Sequence, residues 1–329
     1  MKSLKFMGNS QVQVVDVPAP EPGPGEMLIN VQVSALCGSE MGSFRSPEGS
    51  EGNGGHEFAG VVADPNGNAG FEEGDRVGVH IIAGCGECRF CLTDHSILCD
   101  DLTFYGNAHA EYALAAARNC VKLPDDIDWI TGVLIAGDAM GVAYHTAERV
   151  GIRGNDSVAV IGCGPIGLGH ILLLDYYGAR PIGVDLSDHR LGLAENLGAV
   201  ATVNAAEVDA VEALRELTEG GPDVCYECTG KPAGVELAFE AAAKAGKIAV
   251  NGEQSEACFN PSRDLIHKEL TVYGAWYWRL CEFYEMVELV RQGLDVTRIV
   301  THELPLEDAQ AGYDLMAEAQ CGKIIFRQW

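Results

Sequence analysis

The sequence predicts an α/β protein in which a β-rich domain is followed by a doubly wound parallel sheet, and three observations support this prediction. The 329 residues exceed what one ordinary hydrophobic core occupies and indicate about two domains. Short alternating segments separated by Pro- and Gly-rich turns fill the chain up to about residue 140. Beyond that point, apolar strand-like segments alternate with helical patterns.

The first region consists of segments whose apolar and polar residues alternate. Examples are MLINVQVSA, EFAGVVAD and DRVGVHII, which are separated by turn-rich segments such as APEPGPGE and DPNGNAG. Alternation places one face of a strand on a core and the other toward solvent. We therefore predict an antiparallel, barrel-like domain in this region.

The second region carries strands without that alternation. Predicted strands cover 157–162, 180–186, 222–227 and 247–253, and predicted helices cover 165–178, 188–197, 207–219 and 232–245. Apolar strands that alternate with helices are typical of a parallel sheet whose two faces are covered. This region is therefore predicted to form the doubly wound sheet.

The charge of the chain excludes several kinds of partner. Lys and Arg total 22 against 48 Asp and Glu, which gives a formal charge of −26. Such a chain repels nucleic acid and anionic membrane surfaces. The start, MKSLKFMGNSQVQVV, lacks the apolar core of a signal peptide, and Asp138 and Asp175 interrupt the most apolar runs. We expect a cytoplasmic protein with a solubilising acidic surface, while adaptation to high salt remains the alternative.

Four cysteines form the most informative motif, C-x2-C-x2-C-x7-C, at Cys85, Cys88, Cys91 and Cys99. Four thiolates within so short a segment can surround one tetrahedral Zn²⁺. Disulfides fit less well, because nothing marks the chain as secreted. We predict a structural zinc lobe, with an iron–sulfur cluster or free thiols as alternatives.

A glycine-rich turn, GCGPIG, follows the first predicted strand of the second region and opens a helix. Gly162 allows the tight turn, Gly164 lets the backbone approach a pyrophosphate, and Gly167 lets helix and strand pack closely. The next strand ends at Asp185, where a carboxylate can accept hydrogen bonds from ribose hydroxyls and repel a 2′-phosphate. This pattern predicts NAD rather than NADP, and a turn without a ligand is the alternative.

A third group of residues lies in the first region and comprises Cys37, His56, Glu57 and Asp138. A thiolate, an imidazole and a carboxylate can hold zinc while leaving a fourth position open, as in catalytic zinc sites. Each residue also has an ordinary interpretation, because a single Cys is usually a core residue and Gly-His-Glu can form a turn.

These motifs, together with GDRVGV (74–79), AEYAL (110–114) and KLPDDI (122–127), make the chain resemble the zinc-dependent medium-chain alcohol dehydrogenase family over essentially its whole length. The resemblance implies a GroES-like catalytic domain over 1–141 and a Rossmann NAD-binding domain over 142–275. It further implies that 276–329 return to the catalytic domain, that the active site lies in the cleft between the domains, and that each chain binds two zinc ions and NAD.

The resemblance also assigns roles to individual residues of the catalytic domain. Cys37, His56 and Asp138 correspond to the catalytic-zinc ligands, and the four-cysteine motif corresponds to the structural zinc site. Glu57 corresponds to an acid that can exchange onto the metal. Glu40 stands beside the ligand His where most members carry Asp, and its side chain is longer by one methylene.

Ser39 corresponds to the hydroxyl that accepts the proton of the substrate in this family. Some members place a relay His three residues later, where this chain has Gly42. The proton relay is therefore expected to end in water or another base. Alternatively, Ser39 merely closes a turn.

The residues that the resemblance places at the cofactor follow the strands of the second region and continue into the last segment. They are Gly162, Gly164, Pro165, Ile166, Gly167, Asp185, Arg190, Thr229, Gly252, Ala275, Tyr277 and Lys323. Arg190 is expected beside the adenosine and Lys323 near the pyrophosphate. Gly274 to Tyr277 are expected to hold the carboxamide.

The resulting hypothesis is an oxidoreductase that transfers hydride between NAD and a secondary alcohol, within a polyol, cyclitol or sugar. The Cys-Gly-Ser opening and the carboxylate ligand resemble the polyol branch of the family. Two loops, Cys37 to His56 and the segment between Cys99 and AEY, look short beside the family, and shorter loops are expected to leave a wider mouth for a hydrophilic substrate. Alternatives are a simple secondary-alcohol dehydrogenase, an aldehyde or ketone reductase, and a non-enzymatic NAD-binding regulator. By analogy with the family, a homodimer or homotetramer is expected.

A few remaining residues have weaker patterns. His109 is expected in the core or at the surface rather than in the cleft, while Phe44 and the aromatic run 276–278 are candidates for an apolar pocket wall or an interface. The scattered cysteines are predicted to be buried small residues; they are Cys120, Cys163, Cys225, Cys228, Cys258, Cys281 and Cys321.

Overall fold

The computed structural model of the protein describes residues 1–327, which form two compact units. The first unit combines Met1–Gly141 with the C-terminal segment that begins at Trp278. The second unit is Val142–Tyr277. None of the helices in residues 1–327 combines the length and the apolar character that crossing a bilayer requires.

The N-terminal part of the first unit is rich in strands. Its strands are β1 (Lys2–Gly8), β2 (Gln11–Asp16), β3 (Glu26–Leu36), β4 (Glu57–Asp64), β5 (Arg76–Val79), β6 (Ile82–Ala83), β7 (Thr103–Phe104), β8 (Tyr112–Ala116) and β9 (Cys120–Lys122). Its helices are α1 (Met41–Arg45), α2 (Arg89–Leu92), α3 (Trp129–Ile135) and the start of α4 (Asp138–Val150), with short 3₁₀ turns at Gly38–Glu40, Ser96–Leu98 and Ala117–Asn119.

The second unit alternates strands and helices. Its strands are β10 (Ser157–Ile161), β11 (Arg180–Asp185), β12 (Ala201–Asn204), β13 (Val224–Glu227), β14 (Lys247–Val250) and β15 (Thr271–Gly274). Its further helices are α5 (Pro165–Tyr176), α6 (Asp188–Asn196), α7 (Ala210–Leu217) and α8 (Pro232–Ala241), and a π-helical turn spans Pro261–Ile266.

All neighbouring strands of the second unit pair in parallel, in the order β12-β11-β10-β13-β14-β15. The strand order reverses between β10 and β13, which is where sheets of this kind bind ligands at their carboxyl edge. Strand β10 is buried along its whole length, as its unbroken apolar sequence SVAVI requires. The predicted doubly wound parallel sheet is confirmed.

The C-terminal segment completes the first unit. It contributes α9 (Glu282–Arg291), β16 (Val300–Pro305), α10 (Ala309–Ala317) and β17 (Lys323–Arg327), with 3₁₀ turns at Val296–Ile299 and Leu306–Asp308. Strand β17 pairs in parallel with β16 and antiparallel with β3, so the sheet runs β16-β17-β3-β4-β5-β9, with β8 also pairing β3. The central strand β3 alternates buried and half-buried residues up to Val33 and is buried beyond it.

The prediction that the scattered cysteines are buried is wrong for two of them. Cys120, Cys163, Cys225 and Cys321 are buried and Cys228 is half-buried, but Cys258 and Cys281 are exposed. Both exposed residues lie outside the core-facing positions of strands and helices, since Cys258 is in a loop and Cys281 precedes the first turn of α9. Local sequence around a single cysteine does not reveal that difference.

Candidate active site

Cys37, His56, Glu57 and Asp138 come together in the first unit. The pairing of β3 with β4 sets Ala35 opposite Glu57, so Cys37, which follows β3, lies beside His56, which precedes β4. Asp138 is the first residue of α4. One donor atom from each of the four residues lies within 4.8 Å of all the others.

The donor atoms of this cluster fit a zinc ion. Asp138 Oδ2 lies 3.1 Å from His56 Nε2 and 3.5 Å from Cys37 Sγ. Asp138 Oδ1 is buried and has no hydrogen-bond partner among the described residues. Burial lowers the pKa of His56, but the charges of Cys37 and Asp138 outweigh it and hold that pKa well above its ordinary value. The cluster therefore attracts positive charge, and a cation would satisfy the unpartnered oxygen.

Glu57 is fully buried and forms an ion pair with Lys323, which is also fully buried. Glu57 Oε1 accepts a hydrogen bond from Lys323 Nζ, and Oε2 accepts one from the backbone N–H of Asp138 at 3.1 Å. Burial raises the pKa of Glu57, and the charge of Lys323 opposes that rise. Lys323, whose ammonium group was expected near a pyrophosphate, therefore pairs with Glu57 in this structure.

Glu40 lies behind the predicted ligand His56. Glu40 Oε1 is 3.7 Å from His56 Nδ1 and accepts a hydrogen bond from the backbone N–H of Cys37 at 3.3 Å. Burial alone would raise the pKa of Glu40, but the charge and hydrogen bond of His109, with smaller contributions from His56 and Tyr313, lower it to about 2. The carboxylate is therefore ionised where it faces the imidazole.

Ser39 belongs to the 3₁₀ turn Gly38–Glu40, two residues after Cys37, and its side chain is exposed. Gly42 is exposed as well, and a Cβ atom at that position would have no atom within 4 Å. The position at which some relatives carry a relay His is therefore open space in this chain.

The four cysteines of the lobe also converge, since each Sγ atom lies within 4.8 Å of the others. The Sγ atom of Cys91 is 4.0 Å from that of Cys85 and 3.6 Å from that of Cys88. These separations are far too long for disulfides but match the roughly 3.8 Å between thiolates around tetrahedral zinc. A Cβ atom at Gly84 would lie 2.5 Å from Cys91 Sγ, so only glycine fits against the sulfur cluster.

The environment of the four thiols differs from one to the next. Hydrogen bonds from the backbone N–H groups of Glu87 and Cys88 lower the pKa of Cys85 to about 7. Burial, together with the neighbouring thiols, raises the pKa of Cys91 to about 12. A cation among the sulfurs allows all four to be thiolates, which fits a metal site better than free thiols.

In the second unit, the glycine-rich turn has the conformation that its sequence predicts. Gly162 has φ of +98°, and a Cβ atom at Gly167 would overlap the carbonyl oxygen of Gly162. Gly164 caps α5, and Pro165 occupies its first turn. A Cβ atom at Gly164 would meet only Arg190 Nη1, at 4.0 Å, so Arg190 lies near the helix N-terminus that would face phosphates.

Asp185 ends β11 next to this turn. Its Oδ2 accepts a hydrogen bond from the backbone N–H of Cys163 at 2.8 Å, while Oδ1 accepts bonds from Leu186 at 2.8 Å and Ser187 at 3.0 Å. The carboxylate is therefore fixed at the carboxyl edge of the sheet, beside the phosphate-binding turn. This is the place at which an acidic side chain contacts adenosine ribose.

Glu227 is a candidate site residue that the sequence analysis did not name. It ends β13, and its Oε1 accepts hydrogen bonds from the N–H groups of Thr229 at 2.7 Å and Gly230 at 3.2 Å. Its Oε2 is buried without a partner among the described residues, and burial raises the pKa of Glu227. A Cβ atom at Gly252 would lie 2.7 Å from that oxygen. The sequence signal was a Glu placed between an apolar strand and a Thr-Gly turn.

The backbone that follows β14 and β15 is also ordered by hydrogen bonds. The side-chain amide of Asn251 donates to the carbonyl of Ala275 at 3.2 Å, and the N–H of Ala275 donates to the carbonyl of Val250 at 3.3 Å. Tyr277 adopts a positive φ of 57°. Gly252 and Ala275 thus follow adjacent strands at one edge of the sheet.

The aromatic candidates for a pocket wall prove to be mostly core residues. Phe44 is buried and stacks on Tyr313, with ring centroids 5.0 Å apart. Trp278 is fully buried against His80, at 4.5 Å between centroids. His109 is fully buried too, so of the two positions expected for it, core or surface, the structure shows the core.

A dinucleotide-type turn and a donor cluster that fits zinc define a dehydrogenase, and comparisons with known proteins agree. Residues 165–292 match the zinc-binding dehydrogenase family, and residues 23–125 match the alcohol dehydrogenase GroES-like domain. The uncharacterized zinc-type alcohol dehydrogenase-like protein YphC of Escherichia coli (strain K12) is 34% identical over 99% of this chain and 98% of its own. The chain belongs to the zinc-type alcohol dehydrogenase family, whose members are oxidoreductases that act on alcohols.

Other relatives carry names that specify a substrate. An L-threonine 3-dehydrogenase of Bacillus velezensis is 33% identical over 94% of this chain and 93% of its own. Among solved structures, alcohol dehydrogenase TADH from Thermus sp. ATN1 has a TM-score of 0.89 and 28% identity, with both chains fully covered. The structure of 2R,3R-butanediol dehydrogenase from Bacillus subtilis has a TM-score of 0.85 and 28% identity over 99% of each chain. The predicted combination of a GroES-like domain and a Rossmann domain is confirmed.

Proposed function

We propose that the protein oxidises a secondary alcohol group of a polyhydroxylated substrate, such as a polyol, cyclitol or sugar, and transfers the hydride to NAD. The observation that carries this proposal is the cluster of Cys37, His56 and Asp138, in which a buried carboxylate oxygen lacks a protein partner. These three residues would hold a zinc ion, which would supply Lewis acidity to the alcohol oxygen of the substrate.

The residues around the cluster provide for proton transfer. Ser39 is exposed close to Cys37 and can accept the proton of the substrate hydroxyl. Because Gly42 leaves open space where a relay His stands in some relatives, the proton passes from Ser39 to water. Glu40 and Glu57 are buried with protein partners, so they shape the ligand set rather than contact the substrate.

The composition of the loop between Cys37 and His56 supports a hydrophilic substrate. Its two large apolar residues, Met41 and Phe44, are buried in the core. The remaining residues of 38–55 are glycines, one proline and polar or charged residues. A polar substrate loses fewer hydrogen bonds beside such a loop than in an apolar slot.

L-Threonine is the second candidate substrate, favoured by the names of several relatives. Threonine, like 2,3-butanediol, carries its secondary alcohol next to another polar substituent. A panel of polyols, cyclitols, sugars, L-threonine and simple alcohols, assayed for NADH formation, separates the candidates. A higher kcat/KM for 2-propanol or a medium-chain alcohol than for every polyhydroxylated compound would refute the polyol assignment. If none of the alcohols in the panel yields NADH, the alternative of a non-enzymatic NAD-binding regulator is favoured.

For the cofactor, we expect the wild type to prefer NAD and Asp185→Gly to narrow or reverse that preference. The substitution removes the carboxylate acceptor for ribose hydroxyls, and a hydrogen bond of this kind contributes about 1.5–3 kcal/mol. Loss of this bond lowers kcat/KM for NAD by about tenfold to a hundredfold, while NADP gains from reduced repulsion. The measurement compares kcat/KM for the two cofactors. As a control, Asp188→Asn removes a neighbouring charge and should keep the ratio, whereas a wild type that prefers NADP would contradict the assignment.

We further propose a structural zinc ion in the four-cysteine lobe, so that each chain holds two zinc ions. Cys91→Ser should then lose about one zinc equivalent and several kcal/mol of stability, because metal binding to such a lobe is folding free energy. Zinc analysis and thermal unfolding measure both effects. Cys258→Ser, which alters an exposed cysteine elsewhere, is the matched control. Full zinc content and unchanged melting in Cys91→Ser would rule out the lobe.

A further inference from the structure

Glu40 is a buried carboxylate whose two oxygens have different partners. Oε1 accepts a hydrogen bond from the Cys37 backbone and faces His56 Nδ1 at 3.7 Å. Oε2 contacts His109 Nε2 at 3.1 Å and accepts a hydrogen bond from the Tyr313 hydroxyl at 2.6 Å. One oxygen thus points to the zinc cluster and the other to two fully buried side chains.

The contacts of His109 select one arrangement of its proton. Its Nδ1 lies 2.8 Å from the hydroxyl of Ser34, and its Nε2 lies on Glu40. A proton on Nε2 is donated to the Glu40 carboxylate, while Nδ1 pairs with the Ser34 hydroxyl. Both ring nitrogens therefore have partners inside the protein.

The surrounding backbone is built to admit this arrangement. Gly54 has φ of +74°, and a Cβ atom there would overlap Glu40 Oε2 and lie 3.2 Å from His109 Cδ2. Asn53 Oδ1 accepts a hydrogen bond from the N–H of His109 at 3.2 Å, which fixes the loop that leads to His56. The longer side chain of Glu40 is therefore accommodated, and its Oε2 atom has two hydrogen-bond donors, His109 and Tyr313.

We propose that His109 and Tyr313 are positioning residues for the zinc ligand His56, which they reach through Glu40. By holding Oε2, they keep Oε1 on the Nδ1 side of the imidazole, so that Nε2 presents its lone pair to the metal. This inference rests on the zinc site of the proposed function. It extends that function, because neither residue contacts the metal or the substrate.

Tyr313→Phe removes one hydroxyl from the core and is the mildest test. We expect the zinc ion at Cys37, His56 and Asp138 to bind about tenfold more weakly, as is typical when a partner of a ligand is lost. Competition of the purified protein with a chromophoric chelator measures the dissociation constant of this zinc ion. The zinc of the four-cysteine lobe serves as an internal reference. A merely structural defect would not weaken one zinc alone while melting stayed unchanged.

A double-mutant cycle tests whether the effect passes through Glu40. In a Glu40→Ala background, Tyr313→Phe should produce no further loss of zinc affinity. His109→Phe should resemble Tyr313→Phe, and His109→Gln, which keeps an N–H donor, should recover part of the affinity. Tyr226→Phe removes a buried hydroxyl that has no partner among the described residues, and it should leave zinc binding unchanged.

Wild-type zinc affinity in Tyr313→Phe, or an equal loss in the Glu40→Ala background, would overturn the inference. A wild-type protein that holds zinc only in the four-cysteine lobe would overturn it together with the catalytic zinc site. If the variants lose affinity as expected but the wild type oxidises no alcohol with NAD, only the proposed reaction fails.

Discussion

Asp138→Ala should abolish alcohol oxidation while the protein stays folded. The substitution removes the oxygen that contacts His56 and Cys37, together with the buried Oδ1 that has no protein partner among the described residues. Without the third donor, zinc would bind weakly at this site and would no longer supply Lewis acidity to the alcohol oxygen. Metal polarisation contributes several kcal/mol, so we expect kcat/KM to fall by about a thousandfold or more.

The matched control for that variant is Asp128→Ala in the same unit. Asp128 caps α3 by accepting hydrogen bonds from the N–H groups of Ile130 and Thr131. Its loss should cost about 1 kcal/mol of stability and leave zinc content and turnover unchanged. Steady-state kinetics with NAD give kcat/KM of both variants, and metal analysis gives their zinc content. Wild-type turnover in Asp138→Ala would show that this residue is not part of the site.

Lys323→Met should destabilise the protein by about 3–5 kcal/mol, because it leaves the buried carboxylate of Glu57 without its counter-ion. Adding Glu57→Gln should recover much of that loss, since the second change removes the stranded charge. Chemical denaturation of the zinc-loaded protein measures the free energy of unfolding of each variant. If the double variant were as unstable as the sum of the two single variants, the ion pair would not be the cause.

An exposed ion pair provides the comparison. Lys122 Nζ lies 2.7 Å from Asp75, but the lysine side chain is 52% exposed. Lys122→Met should change stability by less than about 1 kcal/mol, because solvent already screens that pair. A similar loss in Lys122→Met and Lys323→Met would mean that burial does not set the effect.

Much of the fold was predictable because its signals are local. Four of the six strands of the second unit, β10, β11, β13 and β14, were located to within a few residues, whereas β12 and β15 were not among the predicted strands. The glycine-rich turn has the conformation predicted for it. Helix boundaries were less accurate where a cap was not recognised. The predicted helix at 207–219 begins at Ala210, since Asp209 caps it by accepting hydrogen bonds from Val211 and Glu212.

The candidate site was only partly predictable, because part of it depends on contacts between distant positions. The zinc-type motifs stand out as short patterns of Cys, His and Asp. By contrast, Tyr313 reaches Glu40 across 273 residues of chain, and Lys323 reaches Glu57 across 266. Nothing near those residues marks them as partners, and only the pairing of β17 with β3 brings the last strand to the cluster.

That topology places completion of the proposed metal site late in the order of synthesis. Strand β17 lies between β16 and β3 in the sheet of the first unit, yet the ribosome synthesises it only after the entire second unit. Until Lys323 emerges, the carboxylate of Glu57 lacks its counter-ion, and until Tyr313 emerges, Glu40 lacks one of its hydrogen-bond donors. Burying either carboxylate before then is unfavourable. We therefore expect the pairing of β17 with β3 and the pairing of Lys323 with Glu57 to occur together and late. A nascent chain halted before β17 would carry the recognisable motifs but not a finished site.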